Sequence, residues 1–119
     1  MIRLYVPSTL HQLGVLQHSG SLHLGDDVVV APDDTEDAEY DALMAAAETS
    51  AVLAAELDPG ERRRVVVVAE LATLPESVSL ADVVAVHADA ADLPVNADPE
   101  NLEDLGWYAV QEIPDLLQG

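Results

Sequence analysis

Residues 61–71 read ERRRVVVVAEL. Four consecutive valines are apolar toward both faces of an extended chain, so a strand at 65–68 requires cover on both sides. That condition is met at the centre of a sheet, and most readily in a parallel one flanked by helices. Upstream, Asp58-Pro59-Gly60 ends a long stretch, residues 36–57, rich in helix formers and poor in breakers. Within it Tyr40, Leu43, Met44, Ala47, Ala51 and Ala54 make one wide apolar face, with Asp41, Glu48 and Glu56 on the wet one. Downstream, Pro75 is a breaker and residues 83–87 supply a further strand.

Toward the N-terminus, Ile2, Leu4 and Val6 alternate with Arg3 and Tyr5, a strand that Pro7 is expected to end. Thr9 and Gln12 stand three apart as a capping box, Leu10, Leu13 and Leu16 share a helical face, and Ser19-Gly20 closes that helix. GSLHLGDD, residues 20–27, reads as a loop before a short strand at Val28-Val29-Val30. Pro32-Asp33-Asp34-Thr35 stops that strand and starts the long helix. Residues 89–101 form a connection rich in Pro, Asp and Ala, with one helical turn expected at 99–105, a last strand at 107–110 and a short turn at 113–117. The order β-α-β-α-β-β-(α)-β predicts an α/β fold: a single mixed, largely parallel sheet of roughly four to five strands with helices packed on it. A ferredoxin-like α+β arrangement is the alternative.

The 119 residues fit one acidic globular domain, and a 50% apolar composition separates the chain from a disordered acidic tail. Twenty-three acids stand against four arginines and no lysine, for a net charge of −19. Such a field repels nucleic-acid backbones and anionic membranes, which argues against direct binding to either. Without cysteine there is no disulfide, thiolate nucleophile or cysteine-ligated metal. The N-terminus lacks the zones of a secretory signal and no apolar run approaches a membrane span, so a cytoplasmic protein is expected.

RLYVPSTL at the start, EYDALMAAAETS and ERRRVVVVAEL in the middle, VVAVHAD, and the terminal WYAVQEIPDLL together resemble a small actinobacterial family known only as a domain of unknown function. The most specific piece is WYAxQEIPxLL. The resemblance implies a cytoplasmic actinobacterial protein and implies neither an activity nor a catalytic residue.

In a largely parallel sheet, ligands bind beyond the carboxyl ends of the strands. That edge would gather Ser8 and Thr9, Glu70, His87 and Asp89, and Gln111 and Glu112 as a candidate ligand crevice. His87 with Glu70, Asp89 or Glu112 is the one general-base constellation the residues allow, and no nucleophile or oxyanion signature accompanies it. His11 and His18 lie two helical turns apart, about 10 Å along the axis, too far to share an ion, and neither they nor His23 belong to a zinc motif. DDTEDAEYD, residues 33–41, lacks the glycine turn and closing glutamate of a calcium loop and reads as the acidic start of a helix. Arg62, Arg63 and Arg64 are expected to pair with the chain's own carboxylates. Phosphate-binding glycine loops are absent. No cofactor and no metal is expected.

The leading expectation is an acidic protein-interaction or regulatory domain without catalytic activity, with Tyr40, Trp107 and Tyr108 as interface anchors and a basic protein as partner. Self-association stays open. The alternative, from a different class, is a small-molecule-binding protein or enzyme using the carboxyl-end crevice.

Overall fold

The valine run is a central strand, but both of its neighbours run antiparallel to it. The computed structural model describes residues 1–58, 60–94, 102 and 104–118. In chain order the elements are β1 (Ile2–Ser8), α1 (Leu10–Ser19), β2 (Ser21–His23), β3 (Val29–Val30), α2 (Glu36–Ala55), β4 (Val65–Leu71), β5 (Ser77–Ser79), β6 (Val83–Ala88), β7 (Gly106–Tyr108) and α3 (Ile113–Gln118). A five-stranded sheet has the order β3-β1-β4-β6-β7, every pair antiparallel, and β2 pairs with β5 in a separate ribbon.

The expected largely parallel sheet is therefore corrected to an antiparallel one, and the fold belongs to the α+β class. A strand apolar on both faces reports two-sided cover and carries no sign of direction. Here the cover comes from both layers. Leu4, Val6, Val65, Val67 and Val86 pack with Leu13 and Leu16 of α1, Leu22 and Val78 of the ribbon, and Ile113 and Leu116 of α3. Tyr5, Val66, Val68 and Ala85 point the other way, against Ala42, Ala46 and Ala47 of α2. The first six elements do follow a β-α-β-β-α-β order, but β2 leaves the main sheet and α1 and α2 take opposite faces, so the arrangement is not ferredoxin-like.

Local signals explain the helix ends. Thr9 and Gln12 form the complete capping box of α1, and Gly20 closes it with φ 82°, a left-handed conformation that favours glycine. Thr35 caps α2 by accepting from the Ala38 amide, while Glu36, Asp37 and Glu39 occupy its first turn, where carboxylates complement the helix dipole. Asp33 Oδ1 accepts from the Thr35 amide and hydroxyl, which holds its carboxyl below the usual range.

Pro7 does not end β1, because β3 pairs only with Leu4 and Tyr5 and, among the described residues, β1 has no strand neighbour on that flank at Pro7. Residues 20–27, expected as a loop, contain β2. The last strand is Gly106–Tyr108, followed by a 3-10 turn (Val110–Glu112) and then α3. The helical turn expected at 99–105 lies largely outside the described residues. The side of α2 that packs on the sheet consists of Ala42, Ala46, Ala47, Ser50 and Ala54, which leaves Tyr40 exposed and Met44 and Ala51 half-buried.

Candidate functional site

Antiparallel register divides the residues expected to share one crevice. Ser8 pairs with Val65, and Val65 with Ala88, so Ser8, Thr9, His87 and Asp89 gather at one end of the sheet. Glu70 pairs with Arg3 at the opposite end. Glu70 and Val66, the partner of His87, are four residues apart on β4, about 13 Å, which removes Glu70 from hydrogen-bond reach of the imidazole. Gln111 and Glu112 are exposed in the turn beyond β7, where Glu112 Oε2 accepts from the Ala109 amide at 2.9 Å. That turn follows Tyr108, which lies farther from the Asp89 end than Gly106 does.

Ser8, Thr9 and Asp89, at that end, are engaged in contacts that hold the fold. Ser8 is fully buried and its hydroxyl donates to the Val6 carbonyl. Ser50 of α2, also fully buried, donates to the Ser8 carbonyl and accepts from the Val65 amide, both at 2.8 Å. Asp89 takes Arg64 in a two-toothed grip, Nε at 2.9 Å and Nη2 at 2.7 Å, and also accepts from the Arg64 amide. Asp92 accepts from the backbone amides of Gly60 and Arg62, which ties the approach to β4 to the chain leaving β6. Each contact fixes a strand end. Thr9, the cap of α1, has the same structural use.

His87 is half-buried and lies between Val66 and Trp107 across the strands. Burial pushes its pKa down, with a smaller push from Arg3. A histidine whose folded pKa is depressed leaves stability intact above its unfolded value, about 6.5, and removes it as pH falls below that value toward the folded one. His87→Asn is therefore expected to flatten the decline of unfolding free energy between neutral and mildly acid pH. Urea titrations of both proteins at several pH values measure this, and parallel declines would exclude His87 as the source.

At the opposite end Arg3 bonds both Glu70 Oε1 at 2.7 Å and the Tyr5 hydroxyl at 3.1 Å. Both ionic side chains are about one-third exposed, so the pair is of the kind whose net worth is at most about 1 kcal/mol. Among the described residues, no group of three His, Cys, Asp or Glu side chains gathers to hold a metal ion, and no helix is long and apolar enough to cross a membrane.

The aromatic candidates separate by strand parity. Tyr108 turns toward the α1 and α3 side and packs against the core, whereas Trp107 turns toward the α2 side and is 61% exposed. Tyr40, on α2 itself, is 57% exposed. Trp107 and Tyr40 thus stand on the same side of the sheet, and Asp41, Glu48 and Asp104 share with Tyr40 a depression of about 530 Å³. A family model described as a family of unknown function (DUF6912) matches residues 2–117. The chain belongs to that family. None of the curated proteins and none of the solved structures matches it. For this DUF6912 chain the surface is thus the guide to function. Val52, 64% exposed, was not singled out in the sequence, where it belonged neither to the expected apolar face nor to the wet one. The available signal was the run of small residues Ala42, Ala46, Ser50 and Ala54, spaced four apart, which marks the side that closely approaches the sheet.

Proposed function

We propose that the domain is an acidic, non-catalytic protein-binding module that works in the cytoplasm by docking a basic protein on the α2 side of its sheet. The carrying observation is Trp107, the sole tryptophan of the chain, exposed on an edge strand on the same side as Tyr40. Large amphipathic aromatics are the commonest anchors of protein interfaces, and an exposed one costs little to desolvate. The net charge of −19 adds long-range steering toward a basic partner and away from nucleic acid. Among the described residues no buried side-chain nitrogen or oxygen lacks a hydrogen-bond partner, which supports a structural use for Ser8, Ser50 and Asp89.

The test is capture of partners from the producing cells by the tagged domain at low and high salt, repeated with Trp107→Ala. A stoichiometric partner is expected, with affinity for the variant reduced about tenfold or more while its circular dichroism is unchanged. Recovery of only salt-labile basic proteins, equal for both forms, would reduce the charge to nonspecific attraction and defeat the proposal.

A further inference from the structure

The outer flank of α2 carries further apolar side chains that do not meet the sheet. Tyr40, Met44, Ala51, Val52 and Ala55 lie on a different side of the helix from the alanines that meet the sheet. Two depressions, of about 530 and 540 Å³, run along this flank and share Glu48, Ala51 and Leu102, so they form one groove. Leu93 and Leu102 line it opposite the helix. From Tyr40 to Ala55 the helix rises about 22 Å, the length of about 15 helical residues.

The groove is also acidic: Asp41, Glu48, Glu56 and Asp104 line it, and all four are exposed. The arginines that line it are engaged by the fold, Arg64 with Asp89 and Arg62 through Nε with the Leu57 carbonyl. Apolar side chains set among carboxylates are complementary to a helix bearing leucine-like residues on one face and arginines at its margins. The exposed ring of Tyr40 is a further seat for a guanidinium. A second copy of this chain brings its own −19 to the same carboxylates and is disfavoured by repulsion.

We infer that this groove is the docking site for a basic amphipathic helix of the partner protein, an inference that rests on the protein-binding function proposed above. The probe is a synthetic amphipathic peptide of leucine and arginine, about 15 residues long to match the groove, compared with a scrambled peptide of the same composition. Binding is followed by fluorescence anisotropy to the wild type, Val52→Glu, Tyr40→Ala and Trp107→Ala. Val52 is exposed, so its replacement leaves the fold intact, which circular dichroism checks.

Val52→Glu is the sharp variant because it adds negative charge. Attraction by charge alone would tighten binding of the basic peptide, whereas docking in the groove is expected to weaken it about tenfold or more. The scrambled peptide is expected to bind about tenfold more weakly than the amphipathic one, since its apolar residues no longer share a face. Equal binding of the two peptides, or unchanged or tighter binding by Val52→Glu, overturns the inference. Loss with Trp107→Ala but not with Val52→Glu also overturns the groove while leaving the protein-binding function standing at the sheet edge. A concentration-dependent dimer in sedimentation, abolished by Val52→Glu, would assign the groove to a second copy and likewise overturn it.

Discussion

Asp89→Ala is expected to lower the unfolding free energy by about 3–5 kcal/mol, the range for removing one partner of a buried ion pair. The Arg64–Asp89 side chains retain only 7% and 10% exposure, and the carboxylate accepts from the Arg64 guanidinium at two nitrogens and from the Arg64 amide. Alanine removes the carboxylate from a largely buried guanidinium, and also strips the acceptor from a buried backbone amide. The Asp89 amide meanwhile donates to the Arg64 carbonyl, so the pair closes the ladder between β4 and β6 at the point where β6 ends. The double replacement Arg64→Met with Asp89→Leu is expected to recover a large part of the loss, because it removes both charges together. Urea unfolding of the three proteins measures both values. A loss below about 1 kcal/mol for Asp89→Ala would mean that the pair is solvated in the manner of a surface bridge.

Ser50→Ala is expected to cost about 2–3 kcal/mol, as the penalty for unpaired buried backbone groups. One hydroxyl serves two strands: it donates to the Ser8 carbonyl and accepts from the Val65 amide, and Ser8 and Val65 are the last register pair of β1 and β4. With alanine, a buried donor and a buried acceptor lose their partner together. The missing oxygen is too small a space to admit a compensating water with several polar partners. Thermal or urea unfolding gives the value, and a change within a few tenths of a kcal/mol would show that the strands close on one another without the helix.

These two sites mark the border between what the sequence discloses and what it withholds. Thr9 with Gln12, and Thr35 before Glu36 and Asp37, were legible because capping is settled within one helical turn. The run at residues 65–68 disclosed a central, doubly covered strand but no direction, and the expected carboxyl-end crevice depended wholly on direction. With antiparallel strands, Glu70 moved to the far end and Ser8 and Asp89 became fastenings. β2 and β5 escaped notice because each has three residues and a single inward side chain, Leu22 or Val78, too little for a period to register. The Arg64–Asp89 bond joins residues 25 apart, and only the register of β4 with β6 brings them together. Trp107 and Tyr108 face opposite sides because they are neighbours on one strand, where alternation is local. Which side lacked a covering helix depended on the position of α2.

The face assigned to binding can be tested through one nucleus. Trp107 is the only tryptophan, so biosynthetic incorporation of fluorotryptophan places a single fluorine label in the proposed interface. Fluorine NMR of the labelled domain, alone and with its captured unlabelled partner, then reads the environment of that side chain without background. A shifted resonance that loses its sensitivity to exchange of water for heavy water is expected, because the 61% exposed ring leaves solvent when the partner docks. A stoichiometric complex in which the resonance and its solvent sensitivity are unchanged would contradict the claim that this side of the sheet, at the edge strand, is where the protein binds.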